Sequence, residues 1–203
     1  MDQKEKSRRN FDRQAVSYDS ASHGYHARKL YPVLLSQLEQ IPHSSILDLG
    51  CGTGALLAQI KERMPEASCA GLDLSEEMLA VARGRLGTSA ELTQGDSECL
   101  PYEDGRFEVV VCNDSFHHYV SPEKVLKEVA RVLSPGGVFL MGDTTAPAGL
   151  RGAMNLLLPY SSGGDVRLYG GKELEKLLRG VFSGVESRRV DLTSLVAWGI
   201  RAA

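Results

Sequence analysis

Short apolar runs alternate with longer amphipathic stretches through the middle of the chain. The run SSILDL, centred on residues 45–49, predicts a buried strand, and the stretch ALLAQIKERM after it predicts a helix. The same pair recurs as SCAGLDL and SEEMLAVARGRL, where Ser75 suits the N-cap and the acidic first turn complements the helix dipole. Strand and helix therefore alternate from residue 44 onward.

The alternation continues further along the chain. The runs AELTQGD and FEVVVCND predict strands, and PEKVLKEVARVL predicts a helix with Ser121 as N-cap and Pro122 at its first position. The residues SPGG suit a type II turn that leads into the strand GVFLMGD. Short strands separated by helices indicate an α/β protein, with a parallel sheet covered by helices on both faces.

The two ends of the chain depart from this pattern. Near the C-terminus, a helix KELEKLLRGV precedes two strand-like runs, GVESRRVDL and LVAWGIRA. Their separation is too short for a helical crossover, so we predict an antiparallel hairpin at one edge of the sheet. Residues 1–40 are helical in character, with FDRQAVSYD and YHARKLYPVLLSQLEQ as the predicted helices.

Composition favours one soluble domain with a small partner. The 203 residues are 42% hydrophobic, which suits a single core. The 23 basic and 26 acidic side chains give a net charge of -3 without a long cluster of one sign, so no nucleic-acid surface is indicated. We therefore expect a small-molecule ligand and no nucleic-acid partner.

Cysteine usage and the N-terminal residues indicate a cytoplasmic setting. The four cysteines are dispersed and form no CxxC pair, which fits reduced thiols that pack as small apolar side chains. The N-terminal stretch MDQKEKSRRNFDRQ has no apolar segment, and no apolar run is long enough to span a membrane. We therefore expect an untargeted protein without a membrane partner.

The stretch ILDLGCGTGALL carries the first functional signal. Gly50, Gly52 and Gly54 lie where a strand turns into a helix, a position that needs positive φ and close approach of a ligand to the backbone. Gly50, Gly52 and Ala55 also satisfy the dinucleotide fingerprint, so this pattern alone leaves a nicotinamide cofactor open. Asp73 lies 21 residues after Gly52, where a carboxylate can accept from ribose hydroxyls, although an alternative role is to cap the next helix.

Five segments together resemble a known family: DLGCGTG, LDLS, GDSECLPY, FEVVVCNDSFHHY and LSPGGVFLMGD. The combination resembles the class I S-adenosylmethionine-dependent methyltransferases, especially the type 11 methyltransferase-like family. The resemblance covers nearly the whole chain and is clearest over residues 44–143, and FDRQAVSYD is similar to the family's N-terminal FDxxAxxYD element.

The resemblance implies a fold and a division of the chain. The implied fold is Rossmann-like, with a mostly parallel seven-stranded sheet that ends in the antiparallel hairpin. Residues 1–203 would form one methyltransferase domain. Its parts would be an N-terminal helical lid, a cofactor-binding core, a substrate-side segment, and a final helix with the hairpin, over residues 1–40, 44–143, 144–171 and 172–203.

The resemblance also implies S-adenosylmethionine as cofactor, with S-adenosylhomocysteine as product, and a set of cofactor-binding residues. The methionine end would be held by the carboxylate of Asp48, the backbone of the glycine turn and the carbonyl of Asn113; the turn residues are Gly50, Cys51, Gly52 and Gly54. The adenosine end would be held by Asp73 at the ribose, and by Leu74, Asp96 and Ser97 at the adenine, with Tyr18 closing over the cofactor.

Charge supports this cofactor over its alternatives. The cofactor carries an ammonium and a sulfonium but no phosphate, and the segments DLGCGTG, GLDLS and GDSECLPY contain no Lys or Arg. A nicotinamide-dependent oxidoreductase would need its pyrophosphate held and a hydride-transfer set, and we find no TyrxxxLys pair. An oxidoreductase remains the second hypothesis, and a non-catalytic cofactor-binding module the third.

The methyl acceptor is less well defined. His117 and His118 are candidate general bases, with His118 slightly favoured, although either could simply pack beneath the cofactor. Neither the [DN]PP[YF] motif of amine methylation nor a ProCys nucleophile is present, and the Arg-Asn pair of the quinone branch is missing. Asp114 and Asp143 could approach each other, but the Asp-Asn pair of metal-dependent relatives is lacking, so we expect no metal. We predict in-line methyl transfer to a small metabolite.

Overall fold

The computed structural model describes residues 2–161 and 163–202. Seven strands form one sheet. They are β1 (Ser45–Leu49), β2 (Ser68–Asp73), β3 (Glu91–Gln94), β4 (Phe107–Asn113), β5 (Leu133–Thr144), β6 (Ser183–Arg189) and β7 (Ser194–Ile200).

Helices precede, connect and follow the first five strands. They are α1 (Gln3–Gln14), α2 (Tyr25–Leu38), α3 (Ala55–Arg63), α4 (Glu76–Leu86), α5 (Pro122–Val132), α6 (Ala148–Leu157) and α7 (Gly171–Leu178). Short 3-10 turns occupy Ala15–Ser17, Ser22–Gly24, Phe116–His118 and Leu158–Tyr160.

The strand order is β3-β2-β1-β4-β5-β7-β6. Strands β1 to β5 pair in parallel, whereas β7 runs antiparallel to both β5 and β6. The predicted Rossmann-like α/β fold and its C-terminal hairpin are confirmed. Because the chain leaves β1 toward β2 on one side and later returns to β4 on the other, the carboxyl ends of β1 and β4 flank a crevice where ligands of such folds bind.

Alternating side chains of the central strands divide the core between the two faces of the sheet. On β4, Val110 and Cys112 join a cluster with α5 and α7, while Val109 and Val111 join a cluster with α2, α3 and α4. Successive residues of a strand point to opposite faces, so a strand that is apolar at every position is buried on both. This explains why FEVVVCN has no polar alternation.

The residues that begin and connect the helices also act as predicted, with one difference. The Ser75 hydroxyl accepts from the backbone N–H of Met78 at 3.1 Å and caps α4. Ser121 holds the N-cap position of α5, but its side chain makes no capping hydrogen bond, and Pro122 begins the helix. The preformed φ of proline accounts for this start without help from the serine.

The structure shifts two predicted boundaries. Helix α1 begins at Gln3, well before the predicted stretch FDRQAVSYD, and its α-helical part ends at Gln14. The SPGG residues lie within β5, where Gly136 has φ 79° and the pairing with β4 changes register. The positive φ suits the third position of a type II turn, so the predicted turn is present as a bulge in the strand.

The segment between β5 and α7 is part helix and part loop. Helix α6 has no buried residue, and Leu156 and Leu157 are largely exposed. Within the described part of the chain, every helix is too short or too polar to span a bilayer.

Candidate active site

A cavity opens at the carboxyl ends of β1, β2 and β4, in the predicted crevice. It collects most of the residues singled out from the sequence. Those that line it are Tyr18, Asp48, Gly50, Cys51, Gly52, Asp73, Leu74, Asp96, Ser97, Asn113 and His118. Two candidates lie outside the lining, namely Gly54 and His117.

At the glycine turn, the backbone itself lines the cavity, because Gly50 and Gly52 carry no side chains. Gly50 has φ 76°, and a Cβ there would lie 2.5 Å from the Ser115 hydroxyl oxygen. Gly52 has φ 52°, and a Cβ there would meet no atom within 4 Å, so the space above it is open. Gly54 is glycine for a different reason, since a Cβ would come 2.8 Å from the Leu86 side chain and separate α3 from α4.

Asp48 lies at the base of the cavity and is nearly inaccessible to solvent, at 2% exposure. Burial and the charge of the neighbouring Asp73 raise the pKa of its carboxyl to about 8. Charged carboxylates are rarely buried without a partner. This position therefore suits a ligand that brings a positive charge.

Asp73 holds the glycine turn and the start of α4 together. One carboxylate oxygen accepts from the backbone N–H of Gly52 at 2.8 Å, and the other accepts from that of Ser75 at 2.9 Å. Burial raises the pKa of Asp73, while these backbone donors act against the rise. The carboxylate has a structural role in addition to the predicted ribose contact.

The other end of the cavity carries Asp96 and Ser97, directly after β3. One carboxylate oxygen of Asp96 accepts from the backbone N–H of Glu98, and the other accepts from the Lys4 ammonium at 2.7 Å. Lys4 also pairs with Glu98 at 2.8 Å. Helix α1 is therefore bound across the predicted adenine end by a pair of ionic contacts.

Helix α1 supplies cavity residues that the sequence motifs missed. Lys4, Ser7, Arg8 and Phe11 all line the cavity. Their spacing of three and four residues places them on one face of a helix, which is the signal that could have found them. Arg8 forms ion pairs with Glu5 and Asp12 of its own helix, and its guanidinium lies 2.7 Å from the Asp12 carboxylate.

Asn113 and Asp114 end β4 at the cavity. The amide of Asn113 donates to the backbone carbonyl of Ala27, while its side-chain oxygen is buried without a partner among the described residues. Asp114 follows with φ 52° and lines the cavity as well. From the sequence, Asp114 was considered only as a possible metal ligand together with Asp143, and no metal was expected.

The two candidate bases occupy different environments. His117 is buried behind the cavity, where Nδ1 lies 2.6 Å from Asp143 and Nε2 lies 3.4 Å from Asp165. Burial opposes its charge, but these carboxylates raise the pKa of His117 well above its usual value. His118 lines the cavity with its ring against Phe11, and burial beside His117 lowers its pKa to about 3.

The same carboxylates and histidines are close enough to one another to be considered as a cation site. His117 forms one such triad with His118 and Asp165, and another with Asp114 and Asp143. An imidazole binds metal only in its neutral form. Since the adjacent carboxylates favour the protonated form of His117, its contacts fit a proton network better than ligation, and the expectation of no metal stays a prediction.

Tyr18 and Cys51 complete the predicted set. Tyr18 lines the cavity next to Phe11, and its backbone carbonyl accepts from Arg28. Cys51 is buried at 7% exposure, and its sulfur would lie 2.8 Å from a Cβ placed at Gly71 of β2. Burial raises the pKa of the Cys51 thiol well above its usual value, so this thiol fills space and is not a nucleophile.

Comparison with known proteins supports the predicted resemblance. A family model described as a methyltransferase domain matches residues 46–137. The chain is 37% identical over 123 residues to the demethylmenaquinone methyltransferase of Thermus thermophilus, covering 59% of this chain and 54% of the relative. It is 34% identical over 152 residues to the malonyl-[acyl-carrier protein] O-methyltransferase of Geobacter sulfurreducens, covering 71% of this chain and 56% of the relative.

The chain thus spans about half the length of the curated relatives it matches. Among solved structures, it is similar to a chain in the complex of the Haloferax volcanii Trm112 methyltransferase activator with a putative methyltransferase. The TM-score is 0.81 at 20% identity, covering 97% of this chain and 98% of the other. The matched domain and the named relatives confirm the predicted resemblance to the class I S-adenosylmethionine-dependent methyltransferases, and the shared fold agrees with it.

Proposed function

We propose that this chain binds S-adenosylmethionine in the cavity and transfers its methyl group to a small-molecule acceptor. The observation that carries the proposal is the pair of carboxylates at the glycine turn, of which Asp48 is buried and Asp73 partly buried. Asp48 and Asp73 lie close enough for the charge of Asp73 to raise the pKa of Asp48, and both pKa values are raised by burial. A ligand with an ammonium and a sulfonium would compensate this negative charge.

At the methionine end, we assign binding to backbone groups and Asp48. Gly50, Cys51 and Gly52 expose main-chain atoms at the turn, and the space above Gly52 is open. The carbonyl of Asn113, at the end of β4, would accept from the ammonium. Gly54 would support this end only indirectly, by letting α3 and α4 pack closely behind the turn.

At the adenosine end, Asp73 would accept from the ribose and Leu74 would lie against the adenine. Asp96 would accept from the adenine amino group, and the backbone of Ser97 would donate to a ring nitrogen. All four residues line the cavity. Tyr18 and α1 cover it, so we propose that residues 1–40 act as a lid and that residues 1–203 act as one methyltransferase domain.

The chemistry asked of the protein is mainly alignment. Bound S-adenosylmethionine would supply a methyl group on a sulfur that is already a good leaving group. The residues of the cavity would hold that methyl in line with the acceptor, and such positioning can contribute up to about 7–11 kcal/mol. Proton removal by a nearby base would add about 10²–10⁴-fold where the acceptor is an acid.

A nicotinamide cofactor fits the same cavity less well. Its pyrophosphate is an anion, and the acidic side chains of Asp48 and Asp73 offer it no compensating positive charge. The two cations that line the cavity, Lys4 and Arg8, are already paired with carboxylates. A binding module without turnover remains the alternative if the cofactor binds and no acceptor reacts.

The names of two relatives support a small acceptor group. One is named for demethylmenaquinone and the other for a malonyl group on a carrier protein. These acceptors differ in charge and size, and the matches cover only part of each relative. The donor is therefore proposed more firmly than the acceptor.

Calorimetry with S-adenosylhomocysteine, S-adenosylmethionine and NAD tests the proposal. We expect both sulfur ligands to bind in about the micromolar range and NAD to give no signal. Asp48→Asn should weaken binding by about 1.5–3 kcal/mol, because an amide cannot ionise when the positively charged ligand binds, as a carboxyl can. Asp104→Asn is the matched control, because that side chain is 77% exposed in the loop before β4.

Two outcomes would contradict the proposal in different ways. Tight NAD binding without a response to either sulfur ligand would refute the cofactor assignment. Equal affinity of wild-type protein and Asp48→Asn for S-adenosylhomocysteine would leave the cofactor intact but refute the role given to Asp48. A screen for release of S-adenosylhomocysteine across a panel of acceptors would then separate an enzyme from a binding module.

A further inference from the structure

We propose that Asp114 is the general base of the methyl transfer and that the acceptor is a neutral molecule with an acidic hydroxyl, such as a phenol or an enol. The inference rests on the proposed function, since it assigns a role in the same cavity. It names a catalytic residue and a substrate class that the sequence motifs left undefined.

The backbone at Asp114 holds its side chain in an unusual way. Asp114 has φ 52°, and it is the one non-glycine residue with positive φ in the part of the chain that the structure describes. Its backbone N–H donates to the carbonyl of Gly142 on β5 at 2.7 Å, which fixes the turn. A left-handed non-glycine residue costs about 1–2 kcal/mol, and such strain is typical of functional positions.

The carboxylate of Asp114 needs a donor. Its Oδ1 atom is buried and has no hydrogen-bond partner among the described residues. The side-chain oxygen of Asn113, the preceding residue, is in the same state. A buried acceptor without a partner costs about 1–3 kcal/mol, so a ligand that donates a hydrogen bond here would bind favourably.

Charged and titratable groups from every neighbouring element set the basicity of Asp114. His117 follows it in the 3-10 turn, Asp143 lies on β5, His26 on α2 and Asp165 in the loop before α7, and Tyr18 faces it from the N-terminal segment. Burial and the two carboxylates outweigh the histidines and raise the pKa of Asp114 to about 6. At neutral pH the carboxylate is ionised and more basic than an ordinary aspartate, as a general base requires.

His118 is a poorer base than the sequence indicated. It lines the cavity, but burial and the adjacent charge of His117 lower its pKa to about 3. A group this weakly basic takes up a proton only at low pH. His118 is better suited to pack against the ligands and against Phe11, whose ring centroid lies 5.0 Å away.

The charge around Asp114 selects a neutral acceptor. Three carboxylates, Asp114, Asp143 and Asp165, lie around His117, and each is partly or wholly buried. Contact with His117 and, to a smaller extent, the charge of Lys6 lower the pKa of Asp165. An acceptor that carries its own carboxylate would be repelled by the excess negative charge. A phenol or enol brings no charge and offers the proton that Asp114 can accept.

The step balances without another reactant. Asp114 takes the proton of the acceptor hydroxyl as the acceptor oxygen bonds to the methyl carbon and displaces the sulfur on the opposite side. The electron pair of the broken carbon–sulfur bond stays on sulfur, which becomes a neutral thioether. Asp114 then releases its proton to solvent.

A spectroscopic titration tests the proposal without turnover. The probe is 4-cyanophenol, which is mostly neutral at pH 7 and whose absorption moves to longer wavelength when a carboxylate accepts its proton or hydrogen bond. We expect this shift with the S-adenosylhomocysteine complexes of wild-type protein and of the Asp104→Asn control. Asp114→Asn should lose it, and an unshifted spectrum with the wild-type complex would overturn the proposal.

Kinetics with chosen acceptors provide the second test. The panel contains a 1,4-naphthohydroquinone, a malonyl thioester with a free carboxylate, and a primary amine. We expect the hydroquinone to react best, and Asp114→Asn to lower kcat by at least about a hundredfold with little change in KM. The rise of the wild-type rate with pH through about 6 should disappear in the variant. Preference for the amine or the malonyl thioester would overturn the assigned acceptor class.

Cofactor affinity separates failure of this inference from failure of the proposed function. Asp114→Asn should bind S-adenosylhomocysteine within about twofold of wild type, because the carboxylate faces the acceptor. A loss of about tenfold or more would assign Asp114 to the ammonium of the cofactor and overturn its role as base. Folding should be retained, since asparagine also tolerates positive φ.

Discussion

At Gly52, a side chain would extend into the cavity and not into another part of the protein. Gly52 lines the cavity with φ 52°, and a Cβ at this position would meet no atom within 4 Å. Gly87, at the end of α4, also has positive φ, at 54°, and equally open surroundings, but lies outside the cavity lining. Both glycines therefore have a φ that disfavours a side chain, and they differ in that only Gly52 faces the cavity.

This difference gives a matched pair of variants. Gly52→Ala and Gly87→Ala should each lower the free energy of unfolding by about 1–2 kcal/mol, because alanine is strained at positive φ. Only Gly52→Ala should also weaken binding of S-adenosylhomocysteine, by about tenfold or more, since its methyl group would enter the ligand space. Chemical denaturation and calorimetry measure the two effects. Equal affinities in the two variants would show that the cofactor does not approach Gly52.

At the residue scale, motif spacing and the family resemblance together singled out residues that line the cavity where the backbone makes the site. The glycine turn, Asp73 and Asp96 follow strand ends at fixed spacings, and the structure brings them together. The environment of Asp114 could not be predicted in this way. Its basicity depends on burial and on Asp143, which is distant in sequence and becomes a neighbour only when β4 and β5 pair.

At the element scale, the strands were predictable because they are buried on both faces. Strands β1, β2 and β4 are short and almost continuously apolar, whereas the stretches between them are longer and amphipathic, so the sequence distinguishes strand from helix. Helix α1 was predicted only in part, since its first turns are almost entirely polar. Ion pairs one turn apart, such as Glu5 with Arg8 and Arg9, support it in place of a hydrophobic stripe.

The contact of α1 with the adenine end can be tested through its amide hydrogens. Lys4→Met removes the charge that reaches Asp96 and Glu98 while keeping much of the side-chain length. We expect the amides of α1 to exchange faster in the variant, by the equivalent of about 0.5–1 kcal/mol, because these partly exposed pairs are of modest strength. Hydrogen exchange followed by mass spectrometry measures it.

The matched control changes an exposed lysine on another helix. Lys127→Met on α5 should leave exchange in α1 at the wild-type rate. If exchange in α1 is unchanged in Lys4→Met, the ion pairs of Lys4 do not stabilise the helix. Its packing against α4 would then suffice, including the hydrogen bond of 2.6 Å from the Ser75 hydroxyl to Asp12.

For the molecule as a whole, the site makes stability depend on pH. A raised pKa in the folded state means that folding favours the protonated form, so the contribution is complete below the unfolded pKa and is lost as pH rises through the folded one. Asp48, with its pKa near 8, and His117 both act in this direction above pH 6.5. The lowered pKa of His118 acts in the opposite direction, but only between about 3 and 6.5.

We therefore expect the free energy of unfolding of the ligand-free protein to fall between pH 6.5 and 8. Asp48→Asn should remove about 1–2 kcal/mol of this fall, because its amide does not ionise. Urea denaturation at several pH values measures the slope. A slope equal to that of wild-type protein would show that Asp48 does not titrate in this range.

Helix α1 reaches both ends of the cavity at once. Lys4 contacts the carboxylates after β3, while Gln3 and Asn10 donate to the backbone of residues 163–165, where Gly164 allows the chain to approach Ser7. Asp165 of that loop is a neighbour of both histidines at the acceptor end. If α1 is displaced when the donor enters, as the proposed lid requires, the wall beside the acceptor would loosen as well, so donor and acceptor would share one route of entry.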